Sequence, residues 1–147
     1  MPRLEVPIGR DGPIIDVRLW FSAEDSKSLI EAGRPLPSPF SVPALVDTGA
    51  EVTAIGHSIV EWMGIPSVGF MKASSSVLGD EARLVPIYPI RITFGAIGGS
   101  EPPKWRTITA VGVSIVSPGA SVLVGRDLLA TCRFTYDGRK RRFMMSY

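Results

Sequence analysis

Glycine and proline occur throughout the chain and leave little room for a long helix. The 147 residues include 15 glycines and 13 prolines. Proline interrupts a helix because it lacks an N–H group and its ring clashes with the preceding turn. The apolar runs between these residues are short and rich in valine and isoleucine, which is typical of strands. The pattern therefore predicts an all-β fold of many short strands with one or two short helices.

The hydrophobic pattern assigns most of the chain to individual elements. Alternation is clearest in 90–94, where the apolar residues fall on one face of a strand. Ser22, followed by two acids, predicts the start of a helix that Gly33 ends. We predict further strands over 14–21, 42–46, 52–55, 105–116 and 120–124, short helices over 57–63 and from Gly125, a hairpin of 70–78 with 82–94 around Gly79, and a hairpin of 133–137 with 141–146.

Length, charge and residue counts exclude several classes of protein. A chain of 147 residues predicts a single domain over 1–147. A net charge of +2 argues against a nucleic-acid partner, and one cysteine with one histidine excludes an internal disulfide and the common zinc clusters. The most apolar stretch, 108–116, is about half as long as a membrane span. No signal peptide is apparent, and we expect a cytoplasmic protein without a membrane partner.

The segment 44–55 carries the clearest chemical information in the chain. Asp47 follows three apolar residues at the end of a predicted strand, and Thr48 and Gly49 follow it. A carboxylate cannot stay in a strand core without partners. Gly49 permits a sharp turn, and the Thr48 hydroxyl can lock that turn with a hydrogen bond. The pattern predicts a carboxylate that projects from a tight loop with a rigid backbone.

Two motifs give the chain a resemblance to a known family. Leu45-Val-Asp-Thr-Gly-Ala50 resembles the active-site loop of the retropepsin-like aspartic proteases. Val122-Leu-Val-Gly-Arg-Asp-Leu-Leu129 resembles the later motif of the same family, in which Gly precedes a short helix that opens with Arg. The predicted hairpin around Gly79 lies between the motifs, where the family carries its flap. The resemblance implies a closed acid-protease barrel, a two-fold homodimer and an aspartic endopeptidase that hydrolyses peptide or protein substrates.

The chemistry of this family requires a second carboxylate. Peptide hydrolysis by this mechanism uses two carboxylates that share a proton and activate one water. The chain has one Asp-Thr-Gly, since Asp11-Gly12 and Asp137-Gly138 lack the central hydroxyl residue. The second aspartate is therefore expected from a second copy across a two-fold axis. No metal ion or organic cofactor is needed, and 133–147 is the candidate for much of the dimer edge.

The resemblance also implies roles for residues around Asp47. Thr48, Gly49 and Ala50 would support the catalytic loop, and Arg126 after Gly125 would brace it through an ion pair with Glu51. The residues expected to bind substrate are Gly49, Glu51, Ser75, Ser76, Val77 and Gly79.

Several features leave other functions open. The segment 22–40 is longer than the simple turn of retroviral members, and the flap lacks their run of glycines. One alternative is therefore a retropepsin-fold binding or dimerisation module with little proteolysis. A second is a nucleic-acid-binding barrel that uses the basic run Arg139-Lys-Arg-Arg142, although a solvated turn is the favoured interpretation of that run.

Overall fold

The structure, a computed structural model, describes residues 2–73, 83–95, 102–115 and 118–147. This part of the chain is mostly β, as predicted, and its longest helix has nine residues, too few for any of its helices to cross a membrane. Its elements are β1 (Arg3–Pro7), β2 (Ile14–Phe21), α1 (Ala23–Glu31), β3 (Phe40–Val46), β4 (Ala54–Gly56), α2 (His57–Met63), β5 (Gly69–Ala73), β6 (Arg83–Phe94), β7 (Arg106–Val113), β8 (Val122–Val124), α3 (Arg126–Leu129), β9 (Arg133–Asp137) and β10 (Arg142–Ser146).

Six strands form a closed barrel. Their order is β2-β3-β8-β4-β7-β6, and antiparallel pairing of β6 with β2 closes the circle. The pairs β3–β8 and β4–β7 are parallel, whereas the other neighbours in the barrel are antiparallel. The strand β5 pairs with the outer part of β6 and lies beyond the closed circle. Closure satisfies the backbone N–H and C=O groups that an open sheet would leave at its two edges.

The barrel interior is filled by the apolar residues of the alternating strands. In β2, every second residue from Ile15 to Phe21 is buried, while the residues between them are partly or fully exposed. Ile55, Ile90 and Val122 from other strands are also fully buried. Valine and isoleucine suit this environment because branching at Cβ restricts the side chain to few rotamers and packs well on a pleated surface.

A second sheet of three strands covers one side of the barrel. Its order is β1-β10-β9, and β10 in the middle pairs with both neighbours. The hairpin of β9 and β10 matches the prediction for the C-terminal residues. The strand β1 was not predicted, because five residues with alternating charges are too weak a pattern to stand alone. Phe143 and Met145 of β10 are buried in the core that the two sheets share.

The described residues form three helices rather than the predicted one or two, and these begin and end close to the residues that the sequence indicated. The Ser22 hydroxyl accepts a hydrogen bond from the Asp25 N–H at 3.1 Å and caps α1. Gly33 follows the helix with φ +68°, a conformation that glycine adopts without strain. The segment 34–39 has no regular structure, but the Trp20 indole donates to the Pro37 carbonyl at 2.9 Å. This excursion is therefore attached to the outer face of β2.

Several predicted strand boundaries were wrong. The β7 strand ends at Val113, since its parallel partner β4 ends at the paired Gly56. The strand predicted over 52–55 begins only at Ala54, because Glu51 and Val52 form a bend. The arms of the predicted flap hairpin pair as β5 and β6 with Ala73 opposite Arg83. Its tip, with Ser75, Ser76, Val77 and Gly79, lies outside the described residues, as do parts of the loop after Phe94.

The packing of the terminal sheet predicts a large contribution of Phe143 to stability. Phe143 is 1 % exposed, and its ring lies 5.7 Å from that of Phe134. We expect Phe143→Ala to lower the free energy of unfolding by about 3–5 kcal/mol, because it leaves a cavity in the shared core. The matched control is Phe70→Ala: Phe70 is 67 % exposed, and a change of about 0.5 kcal/mol or less is expected at such a surface site. Urea unfolding at equal protein concentration measures both, and equal effects would contradict this account of the sheet.

Candidate active site

Asp47 lies directly after β3, at the edge of the barrel where β3 and β8 both end. Its backbone N–H donates to the Val124 carbonyl at 3.0 Å. Because β3 and β8 are parallel, their carboxyl ends meet at the same edge, which brings Gly125 next to the Asp47 turn. The side chain of Asp47 is half-buried, and Thr48 and Gly49 after it are exposed.

The carboxylate of Asp47 is oriented by its own turn. The Gly49 N–H donates to Asp47 Oδ1 at 2.9 Å, and the Ala50 N–H donates to the Asp47 carbonyl at 3.2 Å. A Cβ atom on residue 49 would lie 3.2 Å from Asp47 Oδ1, closer than most such contacts. Gly49 therefore lets the backbone approach the carboxylate closely enough for the hydrogen bond. These two bonds hold the predicted turn, whereas the hydrogen bond predicted for the Thr48 hydroxyl is not found among the described residues.

The second motif is hydrogen-bonded to the turn through its backbone. The Arg126 N–H donates to the Ala50 carbonyl at 2.9 Å, and the Asp127 N–H donates to the Glu51 carbonyl at 3.2 Å. This contact requires glycine at position 125, because a Cβ there would lie 2.5 Å from the carbonyl carbon of Val52. The family motif pointed to Gly125 in the sequence, and the structure shows the steric reason why this position holds glycine.

A hydrogen-bonded pair that sequence reasoning missed joins the two motifs. Thr53 is fully buried, and its hydroxyl donates to Asp127 Oδ1 at 2.7 Å and accepts from the Gly125 N–H at 3.1 Å. The Thr53 N–H donates to Asp127 Oδ2 at 3.0 Å. The polar groups of the buried Thr53 and the buried Gly125 N–H thereby gain partners, although Asp127 itself is exposed. The one sequence sign of this pair was a threonine inside an apolar run, which needs a partner once it is buried.

The predicted ion pair between Glu51 and Arg126 is wrong. The described residues hold no contact within 4.0 Å between these two side chains. Instead, Arg126 Nη1 donates to the Thr48 carbonyl at 3.0 Å. The Glu51 side chain is exposed, so its carboxylate keeps its hydration, and an exposed ion pair would add little stability. Arg126 thus supports the Asp47 turn through the Thr48 carbonyl rather than through the Glu51 carboxylate.

Two other reactive side chains, His57 and Cys132, form no hydrogen bond or ion pair with Asp47 among the described residues. His57 is the exposed first residue of α2, as predicted. Cys132 packs against the core, and burial raises the pKa of its thiol, so the unreactive neutral form is favoured. Within the described ranges, no three histidine, cysteine or acidic side chains form a group that could hold a metal ion.

Comparison with known proteins identifies the fold through structure alone. No family model and no curated protein sequence matches the chain. The crystal structure of a retropepsin-like aspartic protease from Rickettsia conorii superposes with a TM-score of 0.57 and 13 % sequence identity, over 99 % of this chain and 91 % of that one. The chain has the retropepsin-like fold. In this fold, the Asp47 turn and the Gly125 segment lie side by side, as the two sequence motifs required.

The hydrogen bonds of the buried Thr53 hydroxyl predict that this residue stabilises the junction of the two motifs. Thr53→Val keeps the shape of the side chain but leaves the Gly125 N–H and Asp127 Oδ1 without this partner. We expect a loss of about 1–3 kcal/mol in the free energy of unfolding, the range for an unsatisfied buried polar group. Thr107→Val is the matched control, since Thr107 is exposed on β7. Chemical unfolding measures both variants, and an unchanged Thr53→Val midpoint would refute the role of the hydroxyl.

Proposed function

We propose that the protein is an aspartic endopeptidase whose active site is completed by a second copy of the chain, with one Asp47 from each. The observation that carries this proposal is the orientation of the Asp47 carboxylate by the Gly49 N–H, at 2.9 Å, in a turn held against Gly125. The fold supports the same class of protein. A tight, well-supported turn is what a catalytic carboxylate needs to keep one geometry.

The chemistry follows from placing two such carboxylates close together. Two neighbouring like charges do not both ionise, so the pair holds one proton and its pKa values split. The ionised carboxylate takes a proton from water as the water oxygen forms a bond to the peptide carbonyl carbon. The protonated carboxyl donates its proton to the carbonyl oxygen, which gives a neutral tetrahedral intermediate. Proton transfer to the amide nitrogen then lets the C–N bond break.

No other aspartate in the sequence is followed by Thr-Gly. Asp137 Oδ1 accepts the Lys140 N–H at 2.9 Å in the turn between β9 and β10. Asp11 lies in the turn that precedes β2 and has no hydroxyl residue after it. A homodimer is therefore part of the proposal, because a single Asp47 supplies only half of the pair.

The neighbouring residues receive roles in this proposal. Thr48, Gly49 and Ala50 support the catalytic loop, and Gly125 and Arg126 hold it from behind. Gly49 and Glu51 are proposed to contact the peptide backbone, together with the hairpin residues Ser75, Ser76, Val77 and Gly79. The arms of that hairpin carry exposed apolar side chains, including Phe70 and Leu84, which suit an extended peptide or protein substrate.

The two alternative functions receive less support. A binding or dimerisation module is not favoured, because such a module would not need the hydrogen bond that orients the Asp47 carboxylate. Residues 139–141 of the basic run lie in the turn between β9 and β10, and Arg142, the first residue of β10, is ion-paired with Glu5. This placement supports a solvated turn, so we propose no nucleic-acid partner, metal or cofactor.

The proposal makes Asp47→Asn the decisive variant. The amide keeps the size of the side chain and an oxygen for the Gly49 N–H, but it can neither share the proton nor act as a base. We expect a loss of peptide hydrolysis of about 10³-fold or more, in line with the removal of an acid–base group, with an unchanged melting temperature. Casein or peptide-library cleavage across pH measures the activity, and near-normal turnover of the variant would refute the assignment.

A shared site also predicts a specific dependence on protein concentration. Specific activity should fall on dilution, because a monomer holds one carboxylate. An excess of Asp47→Asn chains should suppress wild-type activity by forming mixed dimers with a single aspartate. Sedimentation at the assay concentration provides the control for dissociation. A monomer that retains full activity would contradict the proposed mechanism.

A further inference from the structure

The described strands present three free sheet edges, at β1, β9 and β5. A free edge exposes unpaired backbone N–H and C=O groups that can pair with another chain. We propose that two copies of the chain pair through β9, antiparallel to each other, about a two-fold axis that passes at Thr135. This inference rests on the proposed function, because the proposed protease requires a dimer and the inference says which strand forms the contact.

The sequence of β9 is self-complementary in this arrangement. Antiparallel pairing about Thr135 places Arg133 opposite Asp137 of the partner subunit, and the symmetry repeats this pair at the other end. Phe134 lies opposite Tyr136 of the partner subunit, which is also repeated. Opposite charges and aromatic rings that face each other across neighbouring strands stabilise a sheet. A strand of five residues, Arg133–Asp137, thus forms only favourable or neutral cross-strand pairs with itself.

The two faces of β9 fit the same arrangement. Arg133, Thr135 and Asp137 lie on the outer face, and Phe134 and Tyr136 lie on the face toward the barrel, because side chains alternate along a strand. Phe134 packs against the buried Phe143, whereas Tyr136 is 58 % exposed. The Tyr136 ring is therefore an exposed aromatic side chain on an otherwise packed face. Pairing would bring Phe134 of the partner subunit next to it and reduce that exposure.

The other two edges are poorer candidates for self-pairing. Two-fold pairing of β1 about its central Glu5 would oppose two equal charges, and Pro7 at its end has no N–H to donate. Glu5 is also engaged by Arg142 within its own chain. Pairing of β5 about Met71 would place Phe70 opposite Lys72, with no pair of opposite charges. The β9 edge alone offers complementary charges among these three.

The position of β9 links the proposed contact to the Asp47 turn. The strand begins four positions after Leu129, the last residue of α3. Arg126 of the same helix donates to the Thr48 carbonyl. In contrast, β10 lies between β1 and β9 in its own chain, so neither of its edges is free for a partner. The C-terminal segment predicted to form the dimer edge is thereby narrowed from 133–147 to β9.

A charge-exchange experiment tests the pairing independently of catalysis. Arg133→Asp and Asp137→Arg each place like charges opposite each other at both ends, and each should weaken self-association by about tenfold or more. An equimolar mixture of the two variants should recover dimers, since every charge again faces its opposite. Arg139→Asp, in the exposed turn, is the control with the same charge change. Asp137→Asn removes the charge but keeps an oxygen that can accept the Lys140 N–H. It therefore shows the effect of the lost charge without loss of the hydrogen bond in the turn. Sedimentation measures the dissociation constant of each.

Symmetric cross-linking provides a second test that does not alter charge. Thr135→Cys in a Cys132→Ala background places one thiol opposite its symmetry mate, and cross-strand residues are close enough for a disulfide. We expect an oxidised covalent dimer from this variant and none from the control Thr107→Cys, which is exposed on β7. Cross-linking of Thr135→Cys above the control supports β9 pairing.

The outcomes of these tests are separable from those for the proposed protease. The β9 contact is overturned if the charged variants dimerise as the wild type does and position 135 gives no selective cross-link. The catalytic proposal would then still be decided by Asp47→Asn. Recovery of dimers in the mixture with no peptide hydrolysis by the wild type would support the contact and refute the protease. If either charged variant fails to fold, the cross-link decides the inference alone.

Discussion

The contact between the Asp47 turn and the segment that begins at Gly125 is the interaction on which the rest of the site depends. Two backbone hydrogen bonds, the Thr53–Asp127 pair and the Arg126 guanidinium all join these segments. They can do so only because residue 125 has no Cβ. Without this approach, the Asp47 turn would lose the neighbour that holds it, and an exposed turn of this length would sample many conformations.

The barrel makes this contact possible because it brings together residues that are far apart in the sequence. Thr53 and Asp127 are 74 positions apart in the sequence, and bringing such distant residues together costs conformational entropy. The parallel pairing of β3 with β8, within a closed and well-packed barrel, offsets that cost. The carboxylate therefore sits on rigid strands at its base and on a short, hydrogen-bonded turn at its tip, which is the arrangement that a precise active site requires.

The terminal sheet connects the stability of the chain with its proposed assembly. One face of β10 supplies buried side chains to the core, and β9 beside it leaves an edge free. The short helix α3 joins the Asp47 turn to the start of β9. The same stretch of chain thus supports the carboxylate and presents the edge that we propose for the second copy. In the proposed dimer, where a second copy completes the site, this stretch would couple activity to association.

The sequence by itself determined the elements whose causes are local. The bounds of β2 and α2, the Ser22 cap and the C-terminal hairpin followed from periodicity, capping and turn residues that lie within one segment. The Asp47 turn was predictable for the same reason. Only the tertiary structure decided that residues 3–7 form a strand, that Thr53 pairs with Asp127, and that Arg126 contacts the Thr48 carbonyl rather than Glu51. These features depend on which distant backbone groups come within hydrogen-bond distance, and no local pattern of side chains specifies that distance.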